Sequence, residues 1–541
     1  MYKPLIYLVL LLSLFSCAEK QHADLIITNA KIYTVDENFS KAEAFAINNG
    51  KFVSVGSSKE INSKYKASKT YNAKGKTIYP GLIDAHCHFY SLGIYMQKVD
   101  LAGTKSFEEV LERIKAFQKE KNSSFIFGRG WDQNDWEVKE YPTKKELDIL
   151  FPKIPVAVRR IDGHAMLANQ AALDLAGIDN NTKITGGEII KNNGEITGVL
   201  IDNAMDLVSR IIPSETKKEA IQALKDAEKY CFSYGLTTVD DAGLDRKTIE
   251  LIDSLQQAGK LKMRIYAMVS ATRDNMDYYL KNGVFKSDRL NVRSFKVYAD
   301  GALGSRGAVL KKPYSDRANH YGAMVTDLDT LQMIAKKIAN SNFQMNTHAI
   351  GDSANAFILK TYADALKSQT NRRWRMEHAQ IIAPADFYYF TEIIPSVQPT
   401  HATSDMYWAE DRIGSERIKN AYAYKKLLKI NGKIALGTDF PVEKVNPMLT
   451  FYAAVARKDT KGYPKDGFEI ENGLTREETL KGMTIWAAYA NFEENEKGSI
   501  EIGKFADFIV MDQDIMEIEI DKIPEVKVFE TWLNGEKVNP E

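Results

Sequence analysis

Two histidines one residue apart close a short apolar run in "YPGLIDAHCHFYSLG", residues 79–93, in a chain with only eight histidines among 541 residues. A strand sends alternate side chains to opposite faces, so His86 and His88 would share one face. Cys87 would take the other, where a core thiol is a better reading than a ligand. Neutral imidazole nitrogens side by side suit zinc and similar divalent ions, and burying them without partners is costly. An HxH pair alone is equally compatible with a polar surface feature. Weight comes from three further polar residues that close apolar runs: His348 ends "FQMNTH", His378 ends "RWRMEH" and Asp439 ends "KIALGTD". Lys296, in "RSFKVYADG", completes the set. Its ammonium cannot bind a cation, but a buried lysine loses its proton more readily and could then capture carbon dioxide as a carbamate, placing two oxygens between metals. The rival reading of Lys296 is an ion pair with Asp300 or another strand-end acid.

The elements that must position these residues are legible as a repeat. Between residues 81 and 445, short apolar runs alternate with amphipathic stretches such as "KKEAIQALKDAEKYCFSYG" and "LDTLQMIAKKIANS". The runs are "FIFGRG", "PVAVRRIDGH", "GLTTVDDAG", "RSFKVYADG", "FQMNTHAIGD", "RWRMEHAQ" and "KIALGTDFP". Repeated β then α predicts an α/β fold, a TIM-like (β/α)8 barrel with insertions, in which the C-terminal strand ends converge on one mouth. A doubly wound open sheet is the alternative, and no GxGxxG follows an early strand to recommend it. Residues 446–490 read as a helical end of the barrel. The flanks, 24–80 and 491–541, are β-rich, with Asn-Asn-Gly at 48–50 and Asn534-Gly535 as turns. Neither flank carries enough apolar surface to stand alone, so both are expected to pair into one small β-sandwich built from both chain ends.

Lysine plus arginine equal aspartate plus glutamate at 72 each, and 44% of residues are hydrophobic. No global charge argues for nucleic acid. The start, "MYKPLIYLVLLLSLFSCAEKQ", has an apolar run too short to span a bilayer but suited to a signal-peptide core. Its Leu14-Phe15-Ser16-Cys17 end resembles the lipobox of bacterial lipoproteins, with residues 1–16 removed, Cys17 lipidated and 17–23 a tether. The expectation is an exported protein anchored to a bacterial membrane on its periplasmic or cell-surface face. Disulfides are not the expected means of holding it together, since only Cys87 and Cys231 would remain.

The order HxH (His86, His88), Lys296, His348, His378, Asp439 resembles that of the amidohydrolase superfamily. Surrounding phrases are more specific: "GRGWDQNDW", "DGHAMLAN", "KVYADGALGSRGAVL", "HAIGDSAN", "EHAQ", "TDFPV" and "GSIEIGKFADFIV" are similar to the branch that contains N-substituted formamide deformylases. The resemblance implies a TIM-like barrel with a composite β-sandwich and a site for one or two divalent ions, commonly zinc. Carried over, His86, His88 and Asp439 would hold one metal and His348 and His378 the other, with carboxylated Lys296 as bridge. Asp439 would also shuttle the proton from activated water to the leaving amine of a small amide-type substrate, in hydrolysis of a C–N bond other than a peptide bond.

Further candidates are His164, as a catalytic contact to the oxyanion or carbonyl, and His401, Asp300, Arg306 and Trp131, with Asp132 and Trp136 beside it, as substrate contacts. Arg306 could meet a substrate carboxylate or only Asp300. The "GGEI…NNGEITG" hairpin could cover the site or be a plain surface loop. His22 and His320 receive no role. A lipid-anchored binding protein that has lost catalysis, and an isomerase or lyase on the same scaffold, are the alternatives; the complete ligand set favours an enzyme. A homodimer is left open.

Overall fold

Strands buried on both faces read as unbroken apolar runs, and eight such strands form the centre of the molecule. The computed structural model describes residues 20–539 apart from 185, 186, 214 and 368. The strands are β1 (Leu82–Cys87), β2 (Leu236–Leu244), β3 (Arg264–Ser270), β4 (Leu290–Tyr298), β5 (Gln344–Ala349), β6 (Arg375–His378), β7 (Ile394–Val397) and β8 (Ala435–Leu436). They hydrogen-bond in chain order, each parallel to the next. Between β8 and β1 the ladder stops, yet two backbone bonds cross the gap: Asp439 N–H to His86 O and His88 N–H to Phe440 O, both 2.8 Å. The result is a nearly closed barrel.

Asp84 clamps the same seam. Its Oδ1 accepts from the backbone N–H of Thr438 at 3.0 Å and of His86 at 3.2 Å, and its Oδ2 accepts from the Thr438 hydroxyl at 2.7 Å. A side chain at Gly437 would put its Cβ 2.5 Å from the His86 nitrogen, so only glycine permits this approach.

Helices pack around the strands by the amphipathic logic of the sequence. The helix Lys217–Ser233 starts at a reciprocal Thr216–Glu219 cap and buries Leu224, Ala227 and Cys231 in one cluster with Leu82 and Cys87. Cys87 and Cys231 are buried free thiols.

Both chain ends build the flanking sheets. A four-stranded sheet holds Gln21–Thr28, Ala44–Asn48, Lys51–Gly56 and Tyr65–Asn72, while a six-stranded one joins Lys31–Tyr33, Lys41–Ala42 and Thr77–Pro80 to Phe508–Met511, Val528–Leu533 and Glu536–Lys537. Phe508 pairs with Pro80 and Ile509 with Tyr79. Phe45, Phe52, Ile78, Phe508 and Val510 share one core between the sheets. Asn49-Gly50 and Asn534-Gly535 both have positive φ, as two-residue hairpin turns require. Arg264 of β3 ties this unit to the barrel through Asp507 at 2.6 Å and Asn534 at 2.5 Å.

One expectation is corrected. "FIFGRG" and "PVAVRRIDGH" are not barrel strands; they form Ile126–Trp131 and Val156–Arg160 of a separate six-stranded mixed sheet inserted between β1 and β2. These two strands are parallel and largely buried, like barrel strands, so their sequences look alike; only the antiparallel neighbour Ala165–Ala168 tells them apart. The barrel draws its third and seventh strands from "RIYAMVS" and "IPSV" instead. The Gly187–Asn192 and Glu195–Asp202 hairpin forms the edge of the insertion, held by pairing to Ala165–Ala168. Cys17 and the lipobox lie outside the described residues. Among those described, no helix is long and apolar enough to cross a membrane.

Candidate metal centre

The C-terminal ends of the barrel strands deliver four imidazoles, a lysine and a carboxylate to one mouth. His86 comes from β1 and His88 caps the helix Phe89–Tyr95 that follows. Lys296 comes from β4, His348 from β5 and His378 from the end of β6, while Asp439 follows β8. His378 and Asp439 hold left-handed backbone at φ 71° and 64°, a conformation that costs a side-chain-bearing residue about 1–3 kcal/mol and clusters at functional sites. Ring centroids of His86 and His378 stand 4.8 Å apart, and those of His348 and His378 4.5 Å apart.

Three of the four imidazoles are held from behind. Nδ1 of His86 donates to Glu377 Oε2, that of His88 to Ala242 O at 2.9 Å, and that of His378 to Gln398 Oε1 at 2.7 Å. With Nδ1 protonated, the Nε2 lone pair faces the cavity, the tautomer that metal ligation needs. Candidate ligand atoms of His86, His88 and Asp439 lie within 4.8 Å of one another. Asp439 Oδ1 sits 3.1 Å from His88 Nε2 yet makes no hydrogen bond, and the buried His348 Nε2 also has no hydrogen-bond partner. Buried polar atoms are rarely left this way. A divalent cation between His86, His88 and Asp439 would satisfy Asp439 Oδ1, so the residues present fit a metal.

The electrostatics agree. Burial, with the nearby Lys296, pushes His86 down to about 4 and His348 to about 3, and burial also drives His378 well below its usual range. All three rings are therefore neutral at pH 7. Burial opposes ionisation of Asp439, but the hydrogen bond with His401 and the nearby His88 ring outweigh it and hold the acid well below the carboxylate range. Burial lowers Lys296 to about 8. Its Nζ donates to His86 Nε2 at 2.9 Å. Asp300 is not its partner, because that carboxylate accepts three backbone N–H groups, from Val309, Ile350 and Gly351, at 2.8–2.9 Å.

A cavity of about 370 Å³ opens on this group, with Leu303, Ile350, Trp408 and Val442 on its walls. His401 lines it too, its Nε2 3.2 Å from Asp439 Oδ2. Four other candidates are not brought in as substrate contacts. His164 is 75% exposed on the insertion and paired with Asp202 at 2.8 Å. Trp131 is core of the insertion, its Nε1 donating to Val158 O at 2.9 Å beside Trp136, while Asp132 pairs with Arg160. Arg306 pairs with Asp316 at 2.7 Å and not with Asp300. Asp300 is spent on the backbone bonds just described.

Sequence reasoning missed Glu377, Gln398 and Glu443, which hold ligand rings or His401. One signal was available for the first. Arg375 and Glu377 stand two apart on one face of a buried strand, so they must neutralise each other; Arg375 Nε donates to Glu377 Oε1 at 2.7 Å. Burial opposes ionisation of Glu377, but Arg375 and His86 bring it down to about 2.

The sequence profile of the Amidohydrolase family matches residues 69–539. The chain is 33% identical to Protein LONG AFTER FAR-RED 3 of Arabidopsis thaliana, over 96% of this chain and 92% of that protein. With N-substituted formamide deformylase of Arthrobacter pascens it shares 26% identity over 95% of this chain and 98% of that one. Among solved structures, an uncharacterized metal-dependent hydrolase from Pyrococcus furiosus superposes with a TM-score of 0.76 at 28% identity, covering 91% of this chain and all of the other.

Proposed function

Because the chain belongs to the amidohydrolase family, we propose that it hydrolyses an amide-type C–N bond in a small, partly apolar molecule, using a divalent cation held by His86, His88 and Asp439. The carrying observation is the convergence of those three side chains around a buried, unpartnered Asp439 Oδ1. Borderline-soft imidazoles with one carboxylate suit zinc. The likeness to N-substituted formamide deformylase supports the amide assignment, since removing a formyl group from nitrogen breaks such a bond.

A bound cation of this kind acidifies water and polarises a carbonyl. The chain's own residues do the rest. Asp439, ionised and beside His401, takes the proton of the attacking water on its carboxylate and returns it to the leaving nitrogen, which departs poorly until protonated. Trp408, Leu303, Ile350 and Val442 exclude water from the wall and seat an apolar substituent. Lys296, buried against His86 without an acidic partner among its described hydrogen bonds and ion pairs, adds as a free amine to carbon dioxide, giving a carbamate anion and a proton. Mass spectrometry of the intact protein under carbon dioxide would carry the extra mass, lost in Lys296→Met. Export on a lipidated Cys17 is part of the same reading, supported by the Leu5–Phe15 apolar run and the Leu-Phe-Ser-Cys end. Radiolabelled palmitate should enter the wild type and not Cys17→Ala.

The deciding experiment is metal analysis of the purified protein beside a screen of amides and esters. Zinc near or above one equivalent, with amide turnover, is expected; a protein that takes up no divalent metal would overturn the reading.

A further inference from the structure

One carboxylate on the cavity wall has no use in the chemistry above. Asp405 lines the cavity together with His401, Gln380 and Trp408. It closes the helix Pro399–Asp405 four residues after His401, so the two side chains leave the same face of that helix, their Cβ atoms about 5–6 Å apart. Gln380 Nε2 and the Tyr422 hydroxyl donate to Asp405 Oδ2 at 2.7 and 2.8 Å. These two bonds fix the direction of the acid. Oδ1 is left with only the Ser404 hydroxyl at 3.5 Å, too long for a good bond, and that hydroxyl donates to Glu443 at 2.7 Å instead.

No basic side chain neutralises this acid. Among the described residues, no lysine or arginine forms an ion pair with Asp405. His401 is committed between Asp439 and Glu443, at 3.2 and 3.4 Å, and Arg412, which lies over the Trp408 ring, is paired with Asp316. Burial, opposed by the His401 ring, raises the Asp405 acid above its usual value. A half-buried carboxylate aimed by two neutral donors and lacking a cation is costly unless a ligand brings one. The wall beside it, Leu303, Ile350, Trp408 and Val442, is apolar and suits a run of methylene groups.

We propose that Asp405 is a specificity residue that binds an ammonium group of the substrate, joined to the scissile amide by a short carbon spacer lying against the apolar wall. This rests on the metal-dependent reading above and names the substrate class for the same site: a small amide that also carries a primary amine. The ammonium donates to Oδ1 while Gln380 and Tyr422 keep Oδ2.

The test is calorimetric binding of ω-amino hydroxamic acids, with chains of three to six carbons, to the zinc-loaded full chain. Each is compared with a twin in which a methyl group replaces the ammonium. The hydroxamate of either twin chelates the cation, so only the far end differs. At the best-fitting length the amino compound should bind wild type roughly 10-fold or more tightly than its twin, as one charge-assisted hydrogen bond gives. Asp405→Asn keeps an oxygen for Gln380 and Tyr422 but removes the charge, and should bring that ratio close to one. A merely structural role would weaken both twins alike and leave the ratio standing. A wild type that favours the amino twin at no length, or an Asp405→Asn protein that keeps the preference, would overturn the assignment. A wild type that retains no zinc would instead remove the function proposed above.

Discussion

At the scale of single residues, Asp439 is the point where binding and turnover meet. Asp439→Asn keeps an oxygen donor but removes the proton acceptor, so kcat should fall by roughly 10²- to 10⁴-fold, more than metal content falls. Steady-state kinetics beside metal analysis of the same preparation would check this; equal losses would place Asp439 in binding alone. Glu377 acts through His86. Its replacement by glutamine should weaken metal affinity roughly 10- to 100-fold, as measured by competition with a chelator, and Arg375 keeps Asp240 at 2.9 Å, so circular dichroism should show a folded chain of reduced stability. His86, His88, His348, His378 and Asp439 were legible because each closes an apolar run, and Lys296 because a lone lysine inside a buried strand needs a reason. Gln398 and Glu443 were not, since periodicity shows which side chains are buried but not which polar groups meet across strands distant in sequence. Trp131 and His164 misled for the related reason that a quotable motif says nothing about which sheet carries it.

At the scale of elements, one joint between barrel and sandwich is a buried ion pair. Arg264 and Asp507 have side-chain exposures of 0% and 4% at 2.6 Å. Arg264→Met leaves Asp507 buried without its cation, which costs about 3–5 kcal/mol. Urea unfolding should show a loss of that size, with kcat nearly unchanged because the pair sits at the end of the barrel opposite the mouth, where β3 begins. A second joint is acid-sensitive. Glu493 pairs with Lys497 and Lys286, each at 2.8 Å. Burial opposes ionisation of Glu493, but the two ammonium groups outweigh it and hold the acid below its usual 4.5. Burial also pushes Lys497 down, but only the acid titrates at low pH. A depressed acid adds stability that is complete above its unfolded value and is lost as pH falls through its folded one. The urea midpoint should therefore drop steeply below about pH 4.5, and Glu493→Gln should flatten that slope. The β-sandwich and its Asn-Gly turns were readable in advance because hairpin chemistry is local. The insertion was not, because a parallel pair buried on both faces has the same composition in either sheet.

At the scale of the whole molecule, a ligand that binds only the folded chain stabilises it by mass action, by about 4 kcal/mol at a thousand times its dissociation constant. Stripping metal with a chelator should lower the melting temperature, and returning zinc should restore it; an unchanged melting temperature would mean that no cation binds the native state. The backbone bonds that join His86 and His88 to the stretch around Asp439, and the Asp84 clamp on Thr438, 354 positions further on, give this coupling a temporal side. A growing polypeptide presents its paired imidazoles long before the acid that completes their cage has been translated. The nascent chain therefore has nowhere to trap an ion tightly until its final strand docks, and loading belongs to the finished polypeptide in whichever compartment it folds.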